Sequence, residues 1–305
     1  MRSIAWSTNC SVKSRPRAMH AIEFQGLGTA WSIAIDAPTV PEDLEGKIIA
    51  YVRDFESRFS RFLPGSEVNA FRNAVAGTYP VSSEFGRLLR RAAELRELTG
   101  GVYDPIVGGV LESAGYGIQS GAHPVQYGVT LPSWSIEDVS VTLDGPIAFD
   151  LGGIGKGYCI DRIADLIRSA GCSNFIVDGG GDMYGTSKAD GRPWRVAIEY
   201  PGRPDTAAGV VELRQAGLAV SDSFRRRFGQ EHHLIDLKNR KSVMAVVGCA
   251  AVAPDAWAAD CMTSGLFLSV PERYPELARI LQAAYLVFRA DGRALASIDW
   301  EGELY

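Results

Sequence analysis

The chain has 305 residues, enough for one large domain or two intimate ones, and its 46% apolar and 22% charged residues suit a globular protein with a sizeable core. A formal net charge of -5 supplies no global basic field, so nucleic acid held by counterion release is not an expected partner, and the Arg225-Arg226-Arg227 cluster is too short to change that. No run of about 18 apolar residues is present to span a membrane, and the five cysteines show no C-x-x-C spacing, which argues against a zinc site or a disulfide framework and fits a reducing compartment.

Residues 1–20 carry Arg2, Lys13, Arg15 and Arg17 but no apolar core of a signal peptide, and Cys10 lacks the lead-in of a lipoprotein signal. They read as a flexible leader, and the protein as cytoplasmic. Residues 21–116 form a helical first part with a strand at Thr29 to Ile35, where Trp31, Ile33 and Ile35 alternate onto one face. Pro41 opens a helix whose Leu44, Ile48, Val52, Phe55 and Phe59 recur at helical spacing. A second helix over Ser83 to Leu98 turns Phe85, Leu88, Leu89, Ala92 and Leu95 inward and stops at Gly100-Gly101.

Residues 117–132, rich in Gly, Pro, Gln and Ser, read as a long loop dividing that part from a strand-rich part at 133–305. There the pattern predicts strands at Val139 to Leu143, Ile147 to Leu151, Phe175 to Val177, Trp194 to Glu199, Val210 to Leu213, Leu218 to Ser221, Val243 to Cys249 and Tyr285 to Arg289. It also predicts helices over Lys156 to Ala170 and from about Pro254 to Leu268. Antiparallel-looking strands following helices argue for a layered α+β fold with mixed, largely antiparallel sheets, the two parts forming one compact unit.

Chemistry is concentrated at Asp150-Leu151-Gly152-Gly153-Ile154-Gly155-Lys156-Gly157, where glycines surround one carboxylate and one lysine ahead of a helix. Two readings stand: a phosphate-bearing ligand approaching bare backbone at a helix N-terminus, or a turn that only needs unusual backbone angles. The run is neither a Walker A loop nor a dinucleotide fingerprint, because Asp150 stands where the first glycine of a Walker loop belongs and the glycines fall one residue short of the other. Asp260 and Ser264, four apart on the last predicted helix, can aim two hard oxygens at one Mg²⁺. Alternatively Ser264 bonds back to the carbonyl of Asp260, and Asp260 is a solvated charge. His233, three residues before Asp236, reads as a base or as a turn residue. The second glycine turn, Asp178 to Asp182, fits a ligand approach and a purely structural turn equally well.

Taken in order, these pieces resemble the ApbE family, the FAD:protein FMN transferases, over roughly Phe24 to Ser269. The elements that carry the resemblance are Leu27-Gly28-Thr29, Ser60-Arg61-Phe62 with Ser66-Glu67, Thr99 to Pro105, Asp150 to Tyr158 with Asp161 after it, Gly180-Gly181-Asp182, His233 to Asp236, and Ala259-Asp260 with Ser264. Each is weak alone; their order is specific. The resemblance implies a flavin cleft between the two parts. In it Asp150 and Lys156 contact FAD, Phe62 stacks on the adenine, and Leu27 and the Tyr103-Asp104 segment line the flavin pocket. It further implies that the carbonyl of Gly153 joins Asp260 and Ser264 around Mg²⁺. The implied reaction is Mg²⁺-dependent transfer of FMN from FAD to a Ser or Thr of a partner protein with release of AMP. His233 would accept the hydroxyl proton, with an ordinary histidine titration near pH ~6.5. FAD hydrolysis to FMN and AMP, or flavin binding without catalysis, are the alternatives. The chain departs from the family pattern at Leu27 (usually Met), Phe62 (usually Tyr), Leu237 and Arg240 (usually Pro and Gly) and Thr263 (often Asp). These departures bear on the loop after Asp236 and on any second acid near the metal.

Overall fold

The computed structural model describes residues 19–117, 123–229 and 231–305. The expected leader thus lies outside the described residues up to position 18, as do residues 118–122 of the expected loop. Met19 and His20 instead begin a strand, β1 (Met19–Gly26), which pairs with β2 (Thr29–Asp36) through a two-residue turn. Leu27 and Gly28 close that turn in the left-handed region (φ 52° and 70°), the backbone that matches strand twist in a tight hairpin. On β2 the alternation holds, with Trp31, Ile33 and Ile35 all buried.

The hairpin begins an eight-stranded sheet. Its other members are β3 (Phe175–Asp178), β4 (Met183–Gly185), β5 (Ala216–Asp222), β6 (Val246–Ala253), β7 (Ala284–Arg289) and β8 (Ala294–Ala296), lying side by side in chain order. Every pairing in it is antiparallel. Period-two alternation serves two cores: Phe175 and Val177 of β3 enter one, and Ile176 between them enters the other. On the first face lie α1 (Leu44–Phe59), α4 (Gly155–Ser169) and α5 (Ala256–Leu268), with α5 seated on β5 and β6 and against α4. On the second lies a small sheet built from 194–200, 203–213 and 303–304, contributing Trp194, Val196, Ile198, Val211 and Leu213. The layers are those of an α+β protein.

Around this frame come α2 (Ser83–Leu98), α3 (Val107–Ser113) and α6 (Tyr274–Leu281). The five apolar positions expected on α1 are its buried positions, and the five expected on α2 are all buried. Ser82 caps α2 by accepting from the Phe85 N–H at 3.1 Å, and Gly100 and Gly101 end it with φ of 67° and 78°. Three expectations need correction. Ile147 to Leu151 pairs with no strand among the described residues: the Ile147 N–H donates to the Phe71 carbonyl (2.9 Å) and the Asp150 N–H to the Pro105 carbonyl (2.6 Å). The strand expected over Val243 to Cys249 lies at Val246–Ala253, and that over Val210 to Leu213 extends back to Arg203. Among the described residues no helix is long and apolar enough to cross a membrane.

Candidate active site

A cleft of ≈ 380 Å³ is lined by Phe62, Tyr103, Asp104, Asp150, Gly153, Lys156, His233, Asp260 and Ser264. A neighbouring hollow of ≈ 460 Å³ shares Phe62, Asp150 and Lys156 with it and adds Leu27. All ten residues singled out from the sequence therefore meet in one place, although they come from segments spread over more than half of the chain.

The metal candidates are brought together by the contact of α4 with α5. At Gly157 a Cβ would stand 2.3 Å from the Ala256 carbonyl oxygen and 2.7 Å from Asp260 Cβ, so only glycine permits this approach. Asp161 of α4 reinforces it by accepting the backbone N–H groups of Ala256 and Trp257, both at 2.9 Å, at the start of α5. Asp260 in turn accepts the Gly157 N–H at 2.9 Å, and the Ser264 hydroxyl donates to the Gly153 carbonyl at 2.7 Å. The back-bond weighed for Ser264 is made by its neighbour instead: Thr263 donates to the Asp260 carbonyl at 3.0 Å and accepts from Ser221 at 3.2 Å. Thr263 is buried and offers no second acid.

Asp260 is buried, not solvated. Burial and then the Asp182 carboxylate push its carboxyl up to about 7, against the pull of Lys156 and the Gly157 N–H. Among the described residues no three His, Cys, Asp or Glu side chains gather as a metal site. The donors on offer are one carboxylate, one carbonyl and one hydroxyl, a hard-oxygen set that suits Mg²⁺ completed by water or phosphate. A Cβ at Gly153 would lie 2.8 Å from Ser264 Oγ and 3.2 Å from the Tyr103 ring, so glycine there leaves the Ser264 hydroxyl its place against the carbonyl.

The cations of the cleft are mostly paired. Lys156 contacts the buried Asp182 directly. Asp150 receives Arg61 Nε at 2.5 Å and the Gly152 N–H at 2.7 Å; burial pushes its carboxyl up, but these two donors outweigh it and hold it below the usual range. Arg61 is itself buried, with the Phe62 ring 4.4 Å from its guanidinium and that of Tyr116 at 5.4 Å. Phe62 remains 48% exposed, which leaves ring surface for stacking. The Asp104 carboxylate is occupied by Trp134 Nε1 (2.8 Å) and Arg96 (3.5 Å), so that residue lines the cleft with its acid already engaged. Sequence reasoning quoted Arg61 and Asp182 as motif members without giving them a role; their pairing with Asp150 and Lys156 is a product of the fold.

His233 has a buried Nδ1 with no hydrogen-bond partner among the described residues, and the Tyr103 hydroxyl is likewise buried and unpartnered. Burial first, then the Arg226 charge, lowers the His233 imidazole to about 4, so the expected titration near pH ~6.5 is corrected downward and the ring is neutral at neutral pH. The loop that follows keeps a left-handed residue at Arg240 (φ 57°), where the family pattern has glycine. The Arg240 guanidinium donates to the carbonyls of Gly128 and Val129 (2.5 and 3.0 Å), which anchors the turn.

Comparison with known proteins agrees with this geometry. Residues 27–287 match the ApbE family. The chain is 27% identical over 277 residues to an FAD:protein FMN transferase of Haemophilus influenzae, covering 82% of this chain and 80% of the relative. It is 26% identical to the FAD:protein FMN transferase of Escherichia coli, over 97% of this chain and 90% of that one. Its fold is that of the flavin transferase ApbE of Vibrio cholerae (TM-score 0.80, 24% identity, 94% and 99% of the two chains). It is equally that of the ApbE protein of Thermotoga maritima (TM-score 0.81, 22% identity, 93% and 98%).

Proposed function

The chain belongs to the ApbE family, and from that premise and the cleft's geometry we propose that it transfers FMN from FAD to a Ser or Thr hydroxyl of a partner protein, releasing AMP. FAD is the substrate, and the acceptor is a second protein. Gly153, through its carbonyl, with Asp260 and Ser264 would hold Mg²⁺, which supplies neutralisation of charge on the diphosphate. Phe62 offers its exposed ring to the adenine, and Leu27, Tyr103 and Asp104 wall the flavin. Lys156, held by Asp182, and Asp150, held by Arg61, keep fixed positions beside the phosphates, and such preorganised groups need no rearrangement during reaction.

The acceptor oxygen attacks the phosphorus of the FMN half. The bond from that phosphorus to the bridging oxygen breaks, its electron pair leaves on AMP, and the hydroxyl proton passes to His233. One observation carries the assignment: a neutral imidazole with a buried, unpartnered nitrogen lines the same cleft as the hard-oxygen trio. The test is incubation with FAD, Mg²⁺ and a candidate acceptor, followed by assay of AMP and of flavin fluorescence on the denatured acceptor. AMP with labelling supports transfer, AMP alone means hydrolysis, and neither means binding only. His233→Gln should lower the transfer rate by about 10²–10⁴ with FAD affinity nearly intact. A raised KM at unchanged maximal rate would make His233 a pocket wall instead.

A further inference from the structure

The charges of the cleft do not cancel uniformly. Arg61 is committed to Asp150, Lys156 to Asp182, and Arg225 to both Asp222 and Glu199. Arg226 differs. It is half-buried, lines both the cleft and the adjoining hollow, and its guanidinium has no hydrogen bond or ion pair among the described residues. Its backbone carbonyl accepts the His233 N–H at 3.3 Å, which fixes the residue beside the candidate base. In the same cleft the buried Asp260 accepts the Gly157 N–H and forms no ion pair among the described residues, Lys156 and Arg226 acting on it only as charges at longer range.

A cation without a partner and a buried carboxyl that no cation contacts directly, in a single cavity, describe a mould for a ligand that carries anionic oxygens together with a divalent cation. We propose that Arg226 is the phosphate-binding cation of this site, gripping the non-bridging oxygens of the FAD diphosphate, beside the Lys156 for which the resemblance implies a contact with FAD. An arginine suits the task because its planar fork can donate two parallel hydrogen bonds to one phosphate. Lys156 has its charge compensated by Asp182 before any ligand arrives. This inference rests on the transferase reading and adds to it the residue that recognises the diphosphate.

The test is equilibrium binding of FAD and of riboflavin to wild-type protein, Arg226→Gln and Arg226→Lys, with and without Mg²⁺, each variant first checked for an unchanged melting temperature. Charge-assisted hydrogen bonds of this kind predict that Arg226→Gln weakens FAD by about 10- to 100-fold and riboflavin by less than about twofold. Arg226→Lys, which keeps charge without the fork, should fall between. Equal weakening of FAD and riboflavin, or FAD binding unchanged in the glutamine variant, overturns the assignment. Wild-type protein that binds no FAD overturns the transferase reading first and this inference with it, so the two failures are distinct.

Discussion

The two glycine turns of the cleft look alike in sequence and are glycine for partly different reasons. In the loop before α4 and the start of that helix, none of Gly152, Gly153, Gly155 or Gly157 has a positive φ; at Gly153 and Gly157 the space of a Cβ is already taken, by Ser264 in one case and by Ala256 and Asp260 in the other. In the turn between β3 and β4, Gly180 and Gly181 hold φ of 79° and 104°, with Asp178 accepting both of their N–H groups (2.9 and 3.0 Å). The first turn is a matter of room alone; the second adds backbone angle, and at Gly180 room as well, since a Cβ there would stand 1.9 Å from Thr29 Oγ1, so Gly181 is the position where angle alone decides. Room is what lets α4 approach α5 and the Gly153 carbonyl meet the Ser264 hydroxyl, so the candidate metal ligands gather at the first turn, while the second supplies the Asp182 that holds Lys156. The reading that the first loop only needs unusual angles is thereby excluded.

Substitutions can break this contrast or sharpen it. Asp260→Ala should have the largest effect, lowering FAD turnover by about 10²–10³ while the protein still folds; retention of more than about a tenth of wild-type turnover at saturating Mg²⁺ would remove Asp260 from the metal site. Next comes Gly157→Ala. Alanine is the better helix former, but a Cβ 2.3 Å from the Ala256 carbonyl oxygen forces the helices apart. We expect about 1–3 kcal/mol of lost stability by thermal denaturation and about a hundredfold loss of turnover from misplaced ligands. Gly181→Ala meets no atom closer than Arg225 at 3.8 Å and strains only the backbone. It should cost about 1–2 kcal/mol and leave turnover within about twofold. A turnover loss at Gly181 as large as that at Gly157 would erase the distinction between the turns.

The smallest expected effect is an absence of change. With the His233 pKa lowered to about 4, transfer limited by chemistry and measured at saturating Mg²⁺, which would hold Asp260 ionised, should stay level from pH ~8 to ~6 and fall only on approach to about 4. An acid limb near pH ~6.5 would mean that the base is an ordinary exposed histidine or another group. The sign for stability follows from the same depression: below its unfolded pKa of ~6.5 the unfolded chain takes up the proton first, so His233 costs stability as pH falls from there toward about 4. His233→Gln should therefore melt less acid-sensitively than wild type across that window, as read by thermal denaturation at stepped pH.

Helices α1 and α2 were legible residue by residue because helical periodicity records which side chains are buried, and burial is what their packing uses. The same logic misassigns Ile147 to Leu151. That run is buried, but its backbone bonds to Phe71 and Pro105 and to no ladder, and apolarity reports burial without reporting pairing. At the site, residue types and motif order located the metal candidates and His233. They could not reveal that Lys156 is already neutralised, that Arg61 is buried beneath Phe62, or that Arg226 is left over. Those facts depend on partners 26 and 89 positions away for the first two, and for the third on the want of a partner among the described residues.

The contact between Ser264 and Gly153 joins positions 111 apart, and that between Asp260 and Gly157 spans 103. On a ribosome, these oxygens have no partners until α5 has emerged, long after α4 has been made. Such distant closures are also the slow part of assembly. A nascent or truncated chain ending before Asp260 therefore carries the glycine loop, the lysine and the aromatic Phe62 but neither side chain proposed to hold the cation, and under that proposal metal-dependent flavin binding would mark that synthesis has passed α5 and that the two helices have met.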